Sequence, residues 1–276
     1  MSRLPRLSVI IPSYNQGAFI ERTISSIVEQ GYPDLELILM DGGSTDSTMQ
    51  IVERFRHHFA VIEHGPDQGQ ADAIFRGFAM ATGQIMAWLN SDDTYAPMTL
   101  LKVGAYFRDN PSAQFVYGDY ELIDAQDNVI AHKRQPEFNL GVVKYAFLTI
   151  PQMSAFWTRN LYLRSGGVDP SLRFAMDYDL FVKLGSLSAA VHLPGVIGRF
   201  RIHKDSKTAN MEPIRQADDR LIQDRSCRWS PTQHPVRFWI ARKYYLFVLI
   251  GLLAKNGTLS ERVIARLSNG LKSLAS

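Results

Sequence analysis

Apolar and polar residues along the first third of the chain follow two alternating patterns. Short, almost continuous apolar runs are typical of strands that are buried on both faces. Between these runs, apolar residues recur three and four positions apart, which is the spacing of one face of a helix. Strands that alternate with helices predict βαβ units and a parallel sheet. The predicted strands lie at residues 7–11, 35–40, 61–63 and 85–89, and the predicted helices near residues 16–30, 47–57 and 69–81.

Beyond residue 97 this regular alternation ends. Residues 115–124 alternate enough to predict a strand, and Gln126-Asp127-Asn128 after them is suited to a hairpin turn. This region predicts a smaller mixed sheet. Residues 136–151 show little periodicity and are predicted to form a loop over the site. The other elements predicted here are helices near residues 97–109 and 176–186 and strands near residues 129–131, 191–193 and 197–203.

Together these elements predict an α/β fold with a Rossmann-like, mostly parallel central sheet flanked by helices, a smaller mixed sheet and a helical C-terminal tail. We expect a main domain at residues 1–208 and a helical extension at residues 209–276. Residues 244–254 of the tail are uncharged, but they are fewer than the ~20 apolar residues that cross a hydrocarbon core. The tail is suited either to a membrane interface or to packing on its own domain or in a homodimer.

The amino-acid composition limits the classes of protein to which the chain can belong. A chain of 276 residues with 46% hydrophobic residues can bury a large core. The single cysteine, Cys227, excludes an internal disulfide framework and a multi-cysteine zinc site, which favours a reducing compartment. Residues 1–6 lack the apolar segment of a secretory signal, so we expect a cytoplasmic protein.

Charge is unevenly distributed although the net charge is only +3. From Arg199 onward, 15 Lys and Arg stand against 6 Asp and Glu, whereas the residues before it have 15 against 21. The C-terminal part is therefore suited to face phosphates or anionic lipid, and the preceding part is suited to hold a cation.

Acidic residues follow two of the predicted strands where they end. Asp92 and Asp93 come after the apolar run at residues 85–89, and Asp41 follows the run at residues 35–40. Ligands of an open parallel α/β sheet bind at the carboxyl ends of its strands, so we expect these acids to converge on one crevice. Adjacent carboxylates repel each other unless a cation lies between them, so Asp92 and Asp93 predict a Mg²⁺ or Mn²⁺ site.

Three other residues near strand ends and helix starts have both functional and structural interpretations. Tyr14 follows the first strand and can stack on a nucleobase, although a tyrosine in this position is also common as a packing residue. Asp41 is suited to accept a hydrogen bond from a base N–H, and the alternative is a helix-capping acid beside two glycines. Asp72 falls in the first turns of a predicted helix, where the helix dipole alone favours an acid.

Two acids and one histidine in the C-terminal half are candidates for chemistry. Asp177 and Asp179 lie at a predicted helix start, where one of them is suited to be a general base and the alternative is helix capping. His203 closes a predicted strand, and a neutral imidazole there can complete a metal site. The cationic candidates for contact with phosphate are Arg201, Lys204 and Lys207.

Five motifs, in their order and spacing, resemble those of the family 2 glycosyltransferases of GT-A fold. The resemblance covers roughly residues 6–208, and five motifs in register are more specific than any one of them. In one respect the chain departs from the family, because Met176 stands where many members have Glu before Asp. The motifs are Val9-Ile10-Ile11-Pro12-Ser13-Tyr14-Asn15, Asp41-Gly42-Gly43-Ser44-Thr45-Asp46, Gly69-Gln70-Ala71-Asp72-Ala73, Asn90-Ser91-Asp92-Asp93 and Met176-Asp177-Tyr178-Asp179.

The resemblance implies a role for particular residues. Asp177 is implied as the catalytic base, while Asp93 and His203 are implied as ligands of Mn²⁺ or Mg²⁺. His203 matches the His of an R-x-H element that lies at the diphosphate and metal in many members. The implied substrate-binding residues are Pro12, Tyr14, Asp41, Asp72, Asp92 and Arg201.

The implied reaction is sugar transfer from a nucleotide diphosphate sugar to a hydroxyl group with inversion of the anomeric centre. A UDP-sugar is favoured because Tyr14 and Asp41 suit uracil. The expected acceptor is a glycan or a lipid-linked molecule in cell-surface polysaccharide synthesis. Nucleic acid is not an expected partner, whereas the tail is suited to peripheral contact with the inner face of the cell membrane.

Three other functions are weighed against the sequence. A sugar-phosphate nucleotidyltransferase shares the sheet and the metal acid, but it usually opens with a Gly-rich basic loop, which residues 12–17 do not form. A dinucleotide dehydrogenase is less favoured because no Gly-x-Gly-x-x-Gly follows the first strand. A non-catalytic nucleotide-sugar-binding protein would keep the base pocket without the proton acceptor, and Met176 keeps this alternative open.

Overall fold

One twisted sheet forms the centre of the protein. The computed structural model describes residues 3–204 and 212–258, so Lys207 lies outside the described residues. Within these ranges the strand order is β3-β2-β1-β4-β8-β6-β9-β5, and β7 pairs with β6. The strands are β1 (Leu7–Ser13), β2 (Leu35–Asp41), β3 (Phe59–His64), β4 (Ile85–Trp88), β5 (Thr94–Tyr95), β6 (Phe115–Ile123), β7 (Val129–Lys133), β8 (Ala155–Thr158) and β9 (Val191–Arg201).

Helices cover both faces of the sheet. Two short 3₁₀ helices, at Arg56–His58 and Gln152–Ser154, tighten the connections before β3 and β8. The α-helices in the described residues are α1 (Ile20–Val28), α2 (Thr48–Arg54), α3 (Gln70–Met80), α4 (Thr99–Asp109), α5 (Leu140–Tyr145), α6 (Arg159–Ser165), α7 (Met176–Leu187), α8 (Glu212–Ser226) and α9 (Pro235–Lys255).

The predicted α/β fold is confirmed, with its parallel strands in the first part of the chain. β1 pairs in parallel with both β2 and β4, and β2 pairs in parallel with β3. The predicted mixed region continues this same sheet, because β8 pairs antiparallel with both β4 and β6. β9 then runs parallel to β6. The mixed region is therefore the second half of one sheet.

Two local predictions were wrong in part. Residues 136–151 were predicted as a loop, which is right on both sides of α5, but Leu140–Tyr145 is helical, and its first turn is capped by Asn139 Oδ1 accepting from Val142 N at 3.0 Å. The two strands predicted at residues 191–193 and 197–203 are the single strand β9, which ends at Arg201. The register with β6 skips Pro194 and Gly195, and Gly195 N donates to Asp119 Oδ2 at 3.2 Å, so the strand continues across a bulge where the sequence indicated a break.

Alternate residues of the first strands face opposite sides, and both sides are buried. Ile10 and Ile38 belong to one apolar cluster, whereas Val9 and Leu37 belong to the cluster on the other face. All four are fully buried, which explains why these strands appear in the sequence as continuous apolar runs. Burial of each such side chain contributes about 1.5–3 kcal/mol, so these strands form a rigid base for residues at their ends.

The C-terminal helices pack on the rest of the chain. Ile222 of α8 is buried in the main apolar cluster, while Phe238 and Ala241 of α9 pack with Tyr145 of α5. Packing on its own domain was one of the two arrangements expected for the tail. Within residues 3–204 and 212–258, no helix combines the length and apolar character needed to cross a membrane.

Candidate active site

A large cavity opens at the carboxyl ends of β1 and β4. Its volume is about 1090 Å³, and its wall includes residues from the strand ends, the start of α3, the start of α7 and the C-terminal helices. The register brings Ser13 of β1 beside Asp41 of β2, and Ile10 beside Trp88 of β4. The chain segments that follow these strands therefore meet at one edge of the sheet, as their parallel order requires.

Tyr14 and Pro12 line this cavity where β1 ends. The Tyr14 side chain is 61% exposed, so its ring is available to a planar ligand in the cavity. Asp72 does not line the cavity, although α3 does. Its carboxylate accepts from Gln68 N at 3.3 Å and lies 3.8 Å from Arg76 Nη1, so the contacts it makes are local to the helix start.

Asp41 lies deeper, in a smaller adjoining cavity of about 280 Å³ that also includes His64. Its carboxylate accepts from Gly43 N at 3.2 Å, from Ser44 N at 2.8 Å and from Ser44 Oγ at 2.5 Å. His64 Nδ1 lies 2.7 Å from Asp41 Oδ2. These four contacts match the acceptor capacity of a carboxylate, so Asp41 holds the loop after β2, and His64 is a residue at this position that the sequence did not indicate.

Side chains hold the loop between β2 and α2, which begins at Thr48. Ser44 Oγ accepts from Asn15 N at 2.7 Å, which ties this loop to the one after β1. Asp46 Oδ1 accepts from Thr48 N at 2.9 Å. The Ser44 contact fixes the loops around the cavity rather than the helix end.

Asp92 and Asp93 are neighbours in sequence but have different surroundings. Asp92 lines the cavity, and its Oδ2 lies 3.0 Å from His203 Nε2. Asp93 is 1% exposed, does not line the cavity, and accepts from Arg201 N at 2.9 Å. Burial, with the nearby Asp92 carboxylate as a second cause, raises the pKa of Asp93 well above its ordinary value. The two acids therefore differ in their access to a ligand.

Arg201 lies beneath the acidic pair and is 0% exposed. Its guanidinium donates to Asp92 O at 2.7 Å, to Asp124 O at 2.9 Å and to Asp127 Oδ1 at 2.5 Å. Arg201 does not line the cavity. In this position it supports the turn that carries the acidic pair. Two lysines were also considered for contact with a phosphate. Lys204 is exposed, and Lys207 lies outside the described residues.

The start of α7 separates the two candidate bases. Asp177 lines the cavity, and its Oδ1 accepts from Tyr178 N at 2.8 Å. Asp179 is buried away from the cavity and forms an ion pair with Lys183, with 2.5 Å between Nζ and Oδ2. The sequence left both acids open, whereas the structure gives only Asp177 access to a ligand in the cavity.

Residues of the C-terminal helices complete the wall opposite the strand ends. The sequence did not indicate them, since the tail was interpreted as a separate extension. Their only sequence signal is a spacing of four residues between polar positions on α8, which is common on any solvated helix. They are Arg215, Asp219, Gln223 and Arg242.

The residues at the cavity fit a divalent cation that shares its ligands with a bound phosphate. In the described part of the chain, no group of three or more His, Cys, Asp and Glu side chains is arranged to hold a metal ion by itself. Mg²⁺ and similar ions usually take only one or two carboxylates, with substrate phosphates and water supplying the other ligands. Asp92 lines the cavity, and His203, which does not line it, has its Nε2 3.0 Å from Asp92 Oδ2, so these two side chains form such an incomplete set.

An open, mostly parallel α/β sheet with acids at a large cavity on its carboxyl edge is the architecture of the GT-A fold. The model of glycosyl transferase family 2 matches residues 8–166, and the chain belongs to this family.

A curated relative supports this assignment. The chain is 39% identical over 191 residues to a PGL/p-HBAD biosynthesis glycosyltransferase of Mycobacterium bovis, which covers 68% of this chain and 72% of the relative. It is also 25% identical over 229 residues to the hyaluronan synthase of Pasteurella multocida, covering 82% of this chain but 23% of that protein. Sugar transfer in glycan synthesis is the activity that this membership supports.

Solved structures support the same fold. Residues 1–349 of TarS from S. aureus, in complex with UDP-GlcNAc, match with a TM-score of 0.62 at 17% identity, over 89% of this chain and 80% of that chain. The mannosyltransferase PcManGT from Pyrobaculum calidifontis, in complex with GDP-Man and Mn²⁺, matches with a TM-score of 0.62 at 22% identity, over 100% of this chain and 81% of that chain. At these identities the likeness concerns the fold.

Proposed function

We propose that this protein is an inverting glycosyltransferase that moves a hexose from a nucleotide diphosphate sugar to a hydroxyl group of its acceptor. The observation that carries the proposal is the position of two acids in one cavity. Asp92, beside His203, lies after β4, and Asp177 lies at the start of α7, and both acids line the same cavity. The donor diphosphate needs an acid that holds a cation, and the acceptor hydroxyl needs a second acid that takes its proton.

The donor fits the strand-end side of the cavity. Tyr14 offers an exposed ring for stacking on the base, and His64 and Asp41 line the adjoining smaller cavity. We favour a uracil nucleotide, whose imide N–H would replace one of the four contacts that the Asp41 carboxylate makes within the protein. TarS binds UDP-GlcNAc and PcManGT binds GDP-Man, so proteins of this fold accept different nucleotides.

Asp92 and His203 are the residues that we assign to the cation. Asp93, which the resemblance implied for this role, is buried and accepts from Arg201 N, so it is better placed to orient the turn that presents Asp92. A bound Mn²⁺ or Mg²⁺ would supply positive charge beside the departing nucleotide diphosphate.

Asp177 is the residue that we assign as general base. Its carboxylate accepts the proton of the acceptor hydroxyl as that oxygen forms a bond to the anomeric carbon. The bond between the anomeric carbon and the diphosphate oxygen breaks in the same displacement, and the nucleotide diphosphate leaves with its electron pair. One displacement inverts the anomeric centre without a covalent sugar–enzyme intermediate. Membership of the family supports this reaction over nucleotidyl transfer.

The acceptor that we propose is a glycan or a lipid-linked molecule, and the protein meets it at an anionic membrane surface. α9 exposes a face with Arg237 and Lys243 next to large apolar side chains. Basic and aromatic residues on one helix face suit the headgroup region of an anionic bilayer. The exposed apolar residues are Val236, Trp239, Ile240, Tyr244 and Phe247.

A screen of nucleotide sugars tests the proposed reaction. Thermal unfolding is followed with UDP-, GDP- and dTDP-sugars, each with and without Mn²⁺, because a ligand that binds only the folded state raises the Tm. We expect a UDP-sugar to give the largest shift and Mn²⁺ to increase it. Donors that raise the Tm are then tested for transfer and for the anomeric configuration of the product. A retained configuration, or hydrolysis of the diphosphate with nucleotide transfer, would contradict the proposal.

Vesicle binding tests the membrane contact. The full chain should sediment with vesicles that contain anionic lipid and much less with neutral ones, since the attraction is partly electrostatic. Trp239→Ala together with Phe247→Ala should weaken this binding. Leu163→Ala is the matched control, because Leu163 is an exposed large apolar residue on α6, outside the α9 face. Equal recovery of the chain with anionic and neutral vesicles would count against the contact.

A further inference from the structure

The residue before α7, the helix that carries Asp177, provides no side-chain cap. α7 begins at Met176, and the residue before it, Ala175, offers no side-chain acceptor to the first N–H groups. Residues 166–175, which connect α6 to α7, form neither helix nor strand. Backbone N–H groups in a connection that forms neither helix nor strand have no regular partners and take acceptors from elsewhere in the fold or from water.

The acceptor comes from α8. Asp218 Oδ2 accepts from Arg173 N at 3.1 Å, from Phe174 N at 2.8 Å and from Ala175 N at 3.2 Å. Three successive N–H groups that converge on one oxygen form a concave anion site in the backbone, here filled by a carboxylate. Hydrogen bonds with an ionised acceptor are stronger than those between neutral groups, so this contact holds the segment just before the helix start.

α8 contacts this segment through one face. Asp218, Ile222 and Arg225 lie four and three residues apart, so they share one side of the helix. Ile222 is buried in the main apolar cluster, and Arg225 Nη1 donates to Asp169 Oδ2 at 3.0 Å, also in the connection before α7. The neighbouring side of α8 lines the cavity through Asp219. α8 is therefore attached at two points to the segment that leads to the proposed base.

We propose that Asp218 is a positioning residue for Asp177. By holding the N–H groups of residues 173–175, it fixes where the helix starts and so where the Asp177 carboxylate stands in the cavity. This inference rests on the proposed function, in which Asp177 removes the acceptor proton. Proton transfer depends on geometry, and a misplacement of about 1 Å costs about 100-fold in rate.

The test is the Asp218→Ala variant, assayed with the donor that the nucleotide-sugar screen identifies. We expect kcat to fall about tenfold to 100-fold, while the KM for the donor and the Tm shift produced by the donor stay close to those of the unchanged chain. Hydrogen exchange at the amides of residues 173–175 should become faster. Asp218→Asn should restore most of kcat, because its amide oxygen can accept from the same N–H groups.

Asp224→Ala is the matched control. Asp224 is another carboxylate of α8, but it accepts from Thr232 N at 3.1 Å and does not contact residues 166–175. Its substitution should leave kcat and the exchange rates at residues 173–175 unchanged. A general loosening of α8 would affect both variants alike, so a kcat loss confined to Asp218→Ala supports the positioning role.

Three outcomes would overturn the inference. A folded Asp218→Ala variant with unchanged kcat is the first, and an equal loss of kcat and of donor binding, typical of a merely structural residue, is the second. If Asp218→Ala does not fold, Asp218→Glu replaces it, since the longer side chain keeps the charge but moves the oxygen. Unchanged kcat in that variant is the third outcome.

Failure of the proposed function can be told apart from failure of this inference. If the unchanged chain transfers sugar from no donor, the proposed function fails, and the exchange rates at residues 173–175 still report whether Asp218 holds them. If the chain is active, is inactivated by Asp177→Asn and is unaffected by Asp218→Ala, only the positioning role fails.

Discussion

The two ends of the parallel strands both carry buried or half-buried acids, but these acids have different surroundings. At the amino end, Glu36 of β2 accepts from Ser8 Oγ at 2.5 Å, from Thr82 N at 2.7 Å, from Thr82 Oγ1 at 2.7 Å and from Arg6 Nη2 at 2.8 Å. At the carboxyl end, Asp92 follows β4 and faces a large cavity beside His203.

This difference separates an acid that stabilises the fold from one that is available to a ligand. Four donors match the acceptor capacity of a carboxylate, so Glu36 has its hydrogen bonds within the protein. Burial by itself would raise the pKa of Glu36, but the hydrogen bonds from Ser8 and Thr82 and the charge of Arg6 outweigh it and lower the pKa. Asp92, by contrast, can exchange contacts with a ligand that enters the cavity. Whether an acidic residue at a strand end belongs to a binding site can therefore be judged only once its hydrogen-bond partners are known.

The largest effect is expected at Asp177, the other acid that lines the cavity. Asp177→Asn removes the proposed proton acceptor, so turnover should fall about 100-fold to 10,000-fold while nucleotide binding survives. Turnover is measured with the donor from the screen, and nucleotide binding is measured by the Tm shift. Asp179→Asn is the control, because Asp179 pairs with Lys183 outside the cavity. Turnover in Asp177→Asn equal to that of the unchanged chain would favour a different base.

The acidic pair provides the next test. Asp92→Asn should weaken Mn²⁺ binding by more than about tenfold, since even the loss of an outer partner of a metal ligand costs about 10- to 100-fold. Asp93→Asn should keep most of the Mn²⁺ affinity, because Asp93 is buried and does not line the cavity. The measurement is the Mn²⁺ concentration that half-saturates the donor-dependent Tm shift. If Asp93→Asn weakened Mn²⁺ binding more than Asp92→Asn, the cation would be assigned to Asp93.

A smaller effect is expected at Tyr14, the residue proposed to stack on the nucleobase. Tyr14→Ala removes the exposed ring, so the dissociation constant of the donor should rise about tenfold to 100-fold, given a stacking contribution of about 1–3 kcal/mol. Calorimetric titration with the nucleoside diphosphate measures it. Tyr14→Phe keeps the ring and serves as the control. Equal affinities in Tyr14→Ala and Tyr14→Phe would show that the ring does not stack on the base.

The smallest effect on activity is expected at the amino end of the sheet. Glu36→Gln should lower the free energy of unfolding by about 1–3 kcal/mol at neutral pH, because it removes hydrogen bonds to an ionised acceptor, and should leave kcat unchanged. The folded-state pKa of Glu36 is lowered, so its contribution is fully present above the ordinary value of 4.5 and is lost as the pH falls through the folded-state pKa.

Denaturant unfolding between pH 3 and pH 7 checks this sign. The unchanged chain should lose stability as the pH falls below about 4.5, and Glu36→Gln should lose less over the same interval. If both chains show the same dependence on pH, Glu36 is not the acid that stabilises this end of the sheet. A loss of kcat in the folded variant would remove the distinction between the two ends.

Much of the first half of the fold could be predicted from the sequence. The strands before residue 90 were found within two residues of the predicted ends, because apolar runs and helical spacing are local properties of the chain. β8 was missed, since its four residues, Ala155–Thr158, are defined by pairing with β4 and β6, which lie far away in sequence. The interpretation of residues 136–151 as a loop was wrong in part for a similar reason, since α5 packs against α9.

The amino-acid sequence by itself determined that acids stand at strand ends and at one helix start, because the order of apolar and polar residues sets where elements begin and end. Only the tertiary structure decided which acid of each pair is accessible. Asp92 rather than Asp93, and Asp177 rather than Asp179, faces the cavity. The difference depends on partners that are distant in sequence, namely Arg201 for Asp93 and the buried core around Asp179. The residues next to each acid in the sequence do not indicate these partners.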